Sequence, residues 1–176
     1  MVDRETSDAL KKLWDDWWYD RFEIPLEISP TARRFEIDVE GEVSTAVLLE
    51  EAAPKTCQAF WEILPAKYHL IHCAFFGHAA FPLERIELPG ITELENRTQR
   101  FCLGDMIYDP LLPEITIAYG RYAEVRFPTT PWFGSTPHPH QACLFAKIVE
   151  NLQGFADMCK RTRIEGAKII EFRRKI

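Results

Sequence analysis

The side chains best suited to ligand chemistry lie together in a proline-rich stretch between positions 128 and 141. Four prolines interrupt it: Pro128, Pro131, Pro137 and Pro139. Each removes a backbone donor and fixes φ, so the stretch is predicted to be a stiff loop. Its possible ligand contacts are Trp132, Phe133, His138, His140 and Gln141. Such side chains on a loop beside strands could form the mouth of a small-molecule site. The alternative is a surface loop whose Trp132 only covers the core.

A metal site is a second possible chemistry for this loop, because His138 and His140 form a P-H-P-H pattern. Zinc sites usually have a third and a fourth ligand at recognisable spacing, and no second cluster completes the set. The eight glycines are scattered, which gives no phosphate-binding loop. We therefore expect neither a metal nor another cofactor.

Composition restricts the class of protein. The chain has 176 residues, 47% of them hydrophobic, and a net charge of −6. These values favour one folded domain with an N-terminal addition and disfavour a nucleic-acid partner. No apolar run approaches the roughly 20 residues of a membrane span, and the start does not resemble a signal peptide. We expect a cytoplasmic protein.

Cysteine usage points to the same compartment. The chain has five cysteines, an odd number, at Cys57, Cys73, Cys102, Cys143 and Cys159. They are widely spaced, form no C-x-x-C pair and lie in apolar surroundings. Reduced thiols in the core of a cytosolic protein are the favoured interpretation.

Residues 1–30 are predicted to form an amphipathic helix and a linker. Thr6 or Ser7 can cap a helix from Asp8 that ends before Pro25. One helix face carries Leu10, Leu13, Trp14, Trp17 and Trp18. Because acids dominate the other face, a membrane surface is disfavoured. We expect the face to pack on the rest of the chain or on a second copy, which would make a homo-oligomer.

Residues 31–176 are predicted to form a mainly β domain of the α+β type. Alternating segments predict strands at 34–40, 43–49, 68–76, 79–83, 115–120, 143–149 and 167–173, with another strand ending near Tyr108. A charged segment after Gly120 is taken as separate. Helices are predicted from Pro54 to Leu64 and from Leu152 to Cys159. Many short strands with two short helices are typical of an antiparallel β-barrel or sandwich.

The order of several segments resembles a known family. They are LLEEAAPKTCQAF, LIHCAFFGHAAF, GDMIYDP, ITIAYG with a later RF, and LFAKIVENLQGFADMC. Together they resemble the bacterial cyclophilin-like proteins of the DUF3830 type from Arg34 to Lys175. The resemblance implies a small closed β-barrel flanked by helices. Relatives often carry an Arg-Trp-Ser-Gly-Glu-like segment after Leu-Ile-His, where this chain has Ala74 to His78, which suggests a specialised ligand.

One branch with this barrel comprises opine synthases of the cucumopine and mikimopine type. They join L-histidine to 2-oxoglutarate through an imine and close a ring by a Pictet–Spengler reaction. The aromatic N-terminal extension and the histidines suggest this branch, which implies small-molecule substrates and no cofactor. Two alternatives stay open: a binding module without catalysis, and a prolyl isomerase. The arginine-bearing strand motif of prolyl isomerases is not found here.

The implied reaction needs acid–base groups and cations for carboxylates. The acid–base candidates are His72, His78, Tyr119 and Glu50. Arg126 holds the position of the family's RF, and Arg121 is a second carboxylate-binding candidate; Trp132, His138, His140 and Gln141 would complete substrate binding. The alternatives are a hydrogen-bonded core histidine, solvated strand arginines and a Glu50 that only enters the helix.

Overall fold

The computed structural model describes residues 6, 8–10, 12–13, 28–73, 76–124 and 141–175, without the side chains of 121, 122 and 124. The chain forms two compact units, residues 1–30 and 31–176. In the first unit the described residues before position 14 are helical, and the Leu10 and Leu13 side chains are exposed. Trp14, Trp17 and Trp18 lie outside the described residues, so packing of the tryptophan face stays a prediction.

The second unit is a closed antiparallel β-barrel. Its strands are β1 (Arg34–Val39), β2 (Glu42–Leu48), β3 (Ala66–Cys73), β4 (Gly77–Pro82), β5 (Arg97–Thr98), β6 (Arg100–Phe101), β7 (Asp105–Asp109), β8 (Glu114–Glu124), β9 (Ala142–Glu150) and β10 (Lys168–Arg174). The order is β2-β1-β10-β3-β4-β8-β7-β9, and β9 pairs with β2 to close the barrel. Strands β5 and β6 pair outside this ring with β9 and β8. The expected cyclophilin-like barrel is confirmed.

Alternation of apolar and polar residues forms the strands, as β1 illustrates. Phe35, Ile37 and Val39 are fully buried, and the residues between them are partly exposed. Gly41 has a φ of 94°, so the β1–β2 turn uses the left-handed region that glycine adopts without strain. The charged segment after Gly120 is a correction to the sequence analysis. It continues strand β8 to Glu124, because Ala123 pairs with both Gly77 and Phe101.

Helix α1 (Pro54–Ile63) fills one end of the barrel with aromatic side chains. Phe60 is fully buried, and its ring centroid lies 5.0, 5.1 and 5.7 Å from those of Phe35, Phe145 and Phe172. Trp61, on the same helix, is only half-buried, and its ring lies beneath the guanidinium groups of Arg33 and Arg174.

Helix α2 spans Leu152–Glu165 and packs against β2, β3 and β8. Phe155 and Met158 are buried, and the helix continues six residues beyond the predicted end at Cys159. Thr162 extends the buried face by one turn, and Gly166, with a φ of 91°, ends the helix. This additional turn carries Arg163.

Four cysteines are buried, and Cys102 is exposed, which corrects the expectation that all five lie in the core. Cys102 lies in the turn before β7, where its backbone N–H donates to the Asp105 carboxylate. All five are free thiols. Burial raises the pKa of Cys57 to about 12, which disfavours a reactive thiolate there. Over the described ranges, no helix is both long and apolar enough to span a membrane.

Candidate active site

Strands β3, β4 and β8 place His72 and Tyr119 on the inner side of the barrel. His72 pairs with Ala80, which pairs with Ile117, two residues before Tyr119. Leu70, Ile117 and Tyr119 are buried in the inner core, so the alternation of strand residues also directs His72 inward. Cys73, Ala79 and Ala118, one residue away in each strand, belong to a separate outer cluster.

The His72 imidazole and the Tyr119 phenol form a hydrogen-bonded pair. The Tyr119 hydroxyl lies 2.9 Å from His72 Nδ1, and the phenol is buried. The Ala79 backbone lies close to the imidazole and acts to raise its pKa. A neutral His72 fits this arrangement, since its unprotonated Nδ1 can accept the hydrogen bond from the Tyr119 hydroxyl.

The surroundings separate the pKa values of this pair. Burial lowers the pKa of His72 below its ordinary 6.5, and the positive charge of Arg163 lowers it further. Burial raises the pKa of Tyr119 above its ordinary 10.0, although Arg163 acts in the opposite direction. At neutral pH the histidine is therefore a base and the tyrosine an acid. Environments that separate two pKa values in this way are typical of acid–base pairs in enzymes.

His78 stands next to this pair at an irregularity between β4 and β8. The register shifts between Gly77 and Ala79, so His78 lies opposite the residues after Tyr119. Its ring centroid is 5.9 Å from that of Tyr119, and its side chain is exposed. A Cβ on Gly120 would lie 2.5 Å from the His78 Cβ. Glycine at position 120 therefore makes room for His78 beside the pair.

We expect Gly120→Ala to displace His78 and to destabilise the protein by about 1–3 kcal/mol, the usual cost of overpacking. Denaturant unfolding measures the loss, and the double variant with His78→Gly is the control. Removal of the His78 Cβ relieves the clash, so the two free-energy changes should not add. Additive changes would show that the contact does not restrict position 120.

Arg163 is the residue of this site that the sequence analysis missed. It lies in the last turn of α2, close enough to the pair for its positive charge to lower the pKa of both Tyr119 and His72. Gly166 was the available signal, because a glycine after a basic turn is a common helix end.

Glu50 is the described acid–base candidate that the structure does not bring to the pair. It follows β2 at the end of the barrel covered by α1, where its carboxylate accepts hydrogen bonds from the backbone N–H and the Nε–H of Arg33. His72 and Tyr119 lie toward the end covered by α2. The partner of Glu50 is 17 residues earlier in the chain, and local patterns do not show such a pairing.

The predicted substrate-binding residues fall mostly outside the described residues. This applies to Arg126, Trp132, His138 and His140, and the Arg121 side chain is likewise not described. Gln141 is described and exposed, immediately before β9. Their roles in binding stay predictions.

Outside the His72–Tyr119 region, a surface cleft of about 250 Å³ is lined by Lys55 and residues 90–95. Glu95 in this cleft is already engaged, because its carboxylate accepts backbone hydrogen bonds from Lys55 and Thr56 at the start of α1. Its arrangement is that of a helix cap, which stabilises α1. Within the described ranges, no three His, Cys, Asp or Glu side chains are grouped to hold a metal ion.

Comparison with known proteins identifies a family and a fold. The family model "Protein of unknown function (DUF3830)" matches residues 35–174. No curated protein matches. The structure of McbB in complex with tryptophan is similar with a TM-score of 0.62 and 18% identity over 80% of this chain. The solution structure of the hypothetical protein AF2241 from Archaeoglobus fulgidus has a TM-score of 0.50 and 21% identity.

The two structures differ in how much of their own length is matched. The match to the archaeal protein covers 82% of this chain and 95% of the archaeal protein. It spans only 44% of McbB. At these identities the similarity shows a shared barrel fold.

Proposed function

Since this chain belongs to the DUF3830 family of proteins of unknown function, we propose an activity that the family description does not give. The protein is a cofactor-free enzyme that condenses an amino acid with a 2-oxo acid. L-Histidine and 2-oxoglutarate are the proposed substrates, joined through an imine and a Pictet–Spengler ring closure. The observation that carries this proposal is the hydrogen-bonded His72–Tyr119 pair inside a closed barrel, with its pKa values separated.

Proton transfer within this pair fits the steps of the reaction. The substrate amine adds to the ketone carbon and gives a carbinolamine, whose hydroxyl leaves as water once it receives a proton. Tyr119, protonated at neutral pH, is placed to donate it. The imidazole carbon of substrate histidine then attacks the imine carbon and must lose its proton to recover aromaticity. That proton returns to the Tyr119–His72 pair, so one turnover releases one water and leaves the pair unchanged.

Burial of the phenol contributes to both transfers. Tyr119 is 3% exposed, and a hydrogen bond in such surroundings is electrostatically stronger than in water. Once the phenol has given its proton to the leaving hydroxyl, the resulting phenolate can take up the ring proton of the substrate, so the pair is restored without a proton from solvent. His78, exposed beside the pair, is a second group that can accept a proton from substrate.

The second candidate function is a barrel that binds an amino acid without converting it. The mutual hydrogen bond of His72 and Tyr119 favours it, since the pair is satisfied without substrate. McbB, which shares the fold, is in complex with tryptophan. Binding without conversion needs the same cavity but no proton transfer, so an activity assay separates the two functions.

Purified protein incubated with L-histidine and 2-oxoglutarate should yield an adduct one water lighter than the sum of the two. Mass spectrometry detects the adduct, and heat-denatured protein measures the uncatalysed background. Tryptophan in place of histidine tests the choice of amino acid. Calorimetric binding of either substrate without an adduct would support the binding module and would reject the enzyme.

A further inference from the structure

We propose that Arg163 binds a carboxylate group of the substrate at the mouth of the barrel, next to the His72–Tyr119 pair. This assignment rests on the proposed function for the identity of the substrate and adds the group that orients it. It makes the last turn of α2 part of the site. Both proposed substrates carry carboxylates, so the experiment must distinguish the two sources.

The position of Arg163 is fixed by the packing of α2. Cys159 and Thr162, on the same helix, are buried against the barrel. Arg163 follows them on the exposed side, and its side chain reaches back to the Tyr119 phenol. The guanidinium therefore lies beside the acid–base pair and is open to solvent.

The free donors of Arg163 distinguish it from its basic neighbours. Lys160 pairs with Asp157 at 2.8 Å, Arg161 with Glu165 at 2.8 Å, and Lys168 with Glu165 at 2.8 Å. Among the residues that the structure describes, no carboxylate pairs with Arg163. A guanidinium has five N–H donors, and the phenol oxygen can accept from only one or two of them. The remaining donors match the two oxygens of a carboxylate.

Charge couples this anchor to the acid–base pair. The groups that face His72 are Tyr119 from β8, His78 from β4 and Arg163 from α2. Arg163 lowers the pKa of His72 in the free protein. A carboxylate bound to Arg163 offsets that positive charge and should raise the pKa of His72, which makes the base stronger when substrate is present.

Calorimetry with 2-oxoglutarate and with L-histidine, each added alone, tests the anchor in the full chain. Arg163→Gln is expected to weaken binding of one of them by about 10- to 100-fold, the usual effect of losing a charged hydrogen bond. The acid whose binding is weakened, the 2-oxo acid or the amino acid, is the one whose carboxylate contacts Arg163. Arg161→Gln is the matched control, because Arg161 lies on the same helix and pairs with Glu165. It should bind as the wild type does.

An NMR titration of the His72 imidazole gives a readout that a merely structural arginine would not move. The bound acid should raise the pKa of His72 in the wild type and leave it nearly unchanged in Arg163→Gln. Equal affinities of the wild type and Arg163→Gln would overturn the anchor, as would a wild type that binds neither acid. Binding that depends on Arg163 without any adduct would uphold the anchor and reject the enzyme. If Arg163→Gln forms the adduct with an unchanged KM, the enzyme is upheld and the anchor is rejected.

Discussion

Replacement of His72 by alanine is expected to lower kcat for the condensation by about 10²–10⁴-fold, the usual cost of removing a general base. Nδ1 of the imidazole accepts a hydrogen bond from the Tyr119 hydroxyl, with 2.9 Å between the nitrogen and the oxygen. The alanine variant therefore removes the proton acceptor of the phenol. Steady-state rates of adduct formation measure the loss. His69→Ala is the matched control, because His69 lies on the same strand, faces outward and binds Glu84. It should keep the wild-type rate.

The pH profile identifies which group accepts the proton. As pH falls, His72 becomes protonated and cannot act as a base, so the wild-type rate should decrease on the acidic side. Because burial and Arg163 lower the pKa of His72 below 6.5, that decrease should lie below pH 6.5. An unperturbed histidine titrates near pH 6.5, and the surroundings of His72 move this value downward. In His72→Ala the acidic limb should disappear.

Two outcomes would assign the base to another residue. If His72→Ala keeps both the rate and the acidic limb, His72 only stabilises Tyr119. His78→Ala is then the next variant, since His78 lies 5.9 Å from the Tyr119 ring, measured between ring centroids. Tyr119→Phe separates the acid from the base, and its effect should not add to that of His72→Ala, because the two groups act as one unit.

Local patterns predicted the strands of the barrel because each strand has one buried face. The alternation in β1, with Phe35, Ile37 and Val39 inward, is visible in sequence and fixes the register against β2 and β10. Pro54 likewise marks the start of α1. Closure of the sheet depends on pairing between β2 and β9. Since no local pattern encodes that contact, only the family resemblance predicted it.

Only part of the site was predicted, because local patterns do not show which residues tertiary packing brings together. His72, His78 and Tyr119 were found from residue type and their place in matched segments, and the structure brings them together. Arg163 was missed because Lys160 to Arg163 is polar and suggested that the helix had ended. Its neighbour Thr162 is nevertheless buried against the barrel. Tertiary packing, which sequence periodicity does not show, extends the helix.

The largest loss of stability is expected for Phe60→Ala, about 3–5 kcal/mol. Phe60 is fully buried. The rings of Phe35, Phe145 and Phe172 surround it, with centroid distances of 5.0–5.7 Å. Its removal leaves a cavity that the closed barrel cannot collapse to fill. Trp61→Ala on the same helix is the control. The tryptophan ring is larger but only half-buried, so its loss should cost less.

Denaturant unfolding of both variants measures these changes, and their activity completes the comparison. Phe60 lies on α1, away from the His72–Tyr119 pair, so folded Phe60→Ala should keep a kcat near that of the wild type. His72→Ala should show the opposite result, a large fall in rate with a smaller loss of stability than Phe60→Ala, about 1–3 kcal/mol for the buried hydroxyl left without its partner. A smaller loss for Phe60→Ala than for Trp61→Ala would mean that side-chain size, rather than burial in the aromatic core, determines how α1 stabilises the barrel.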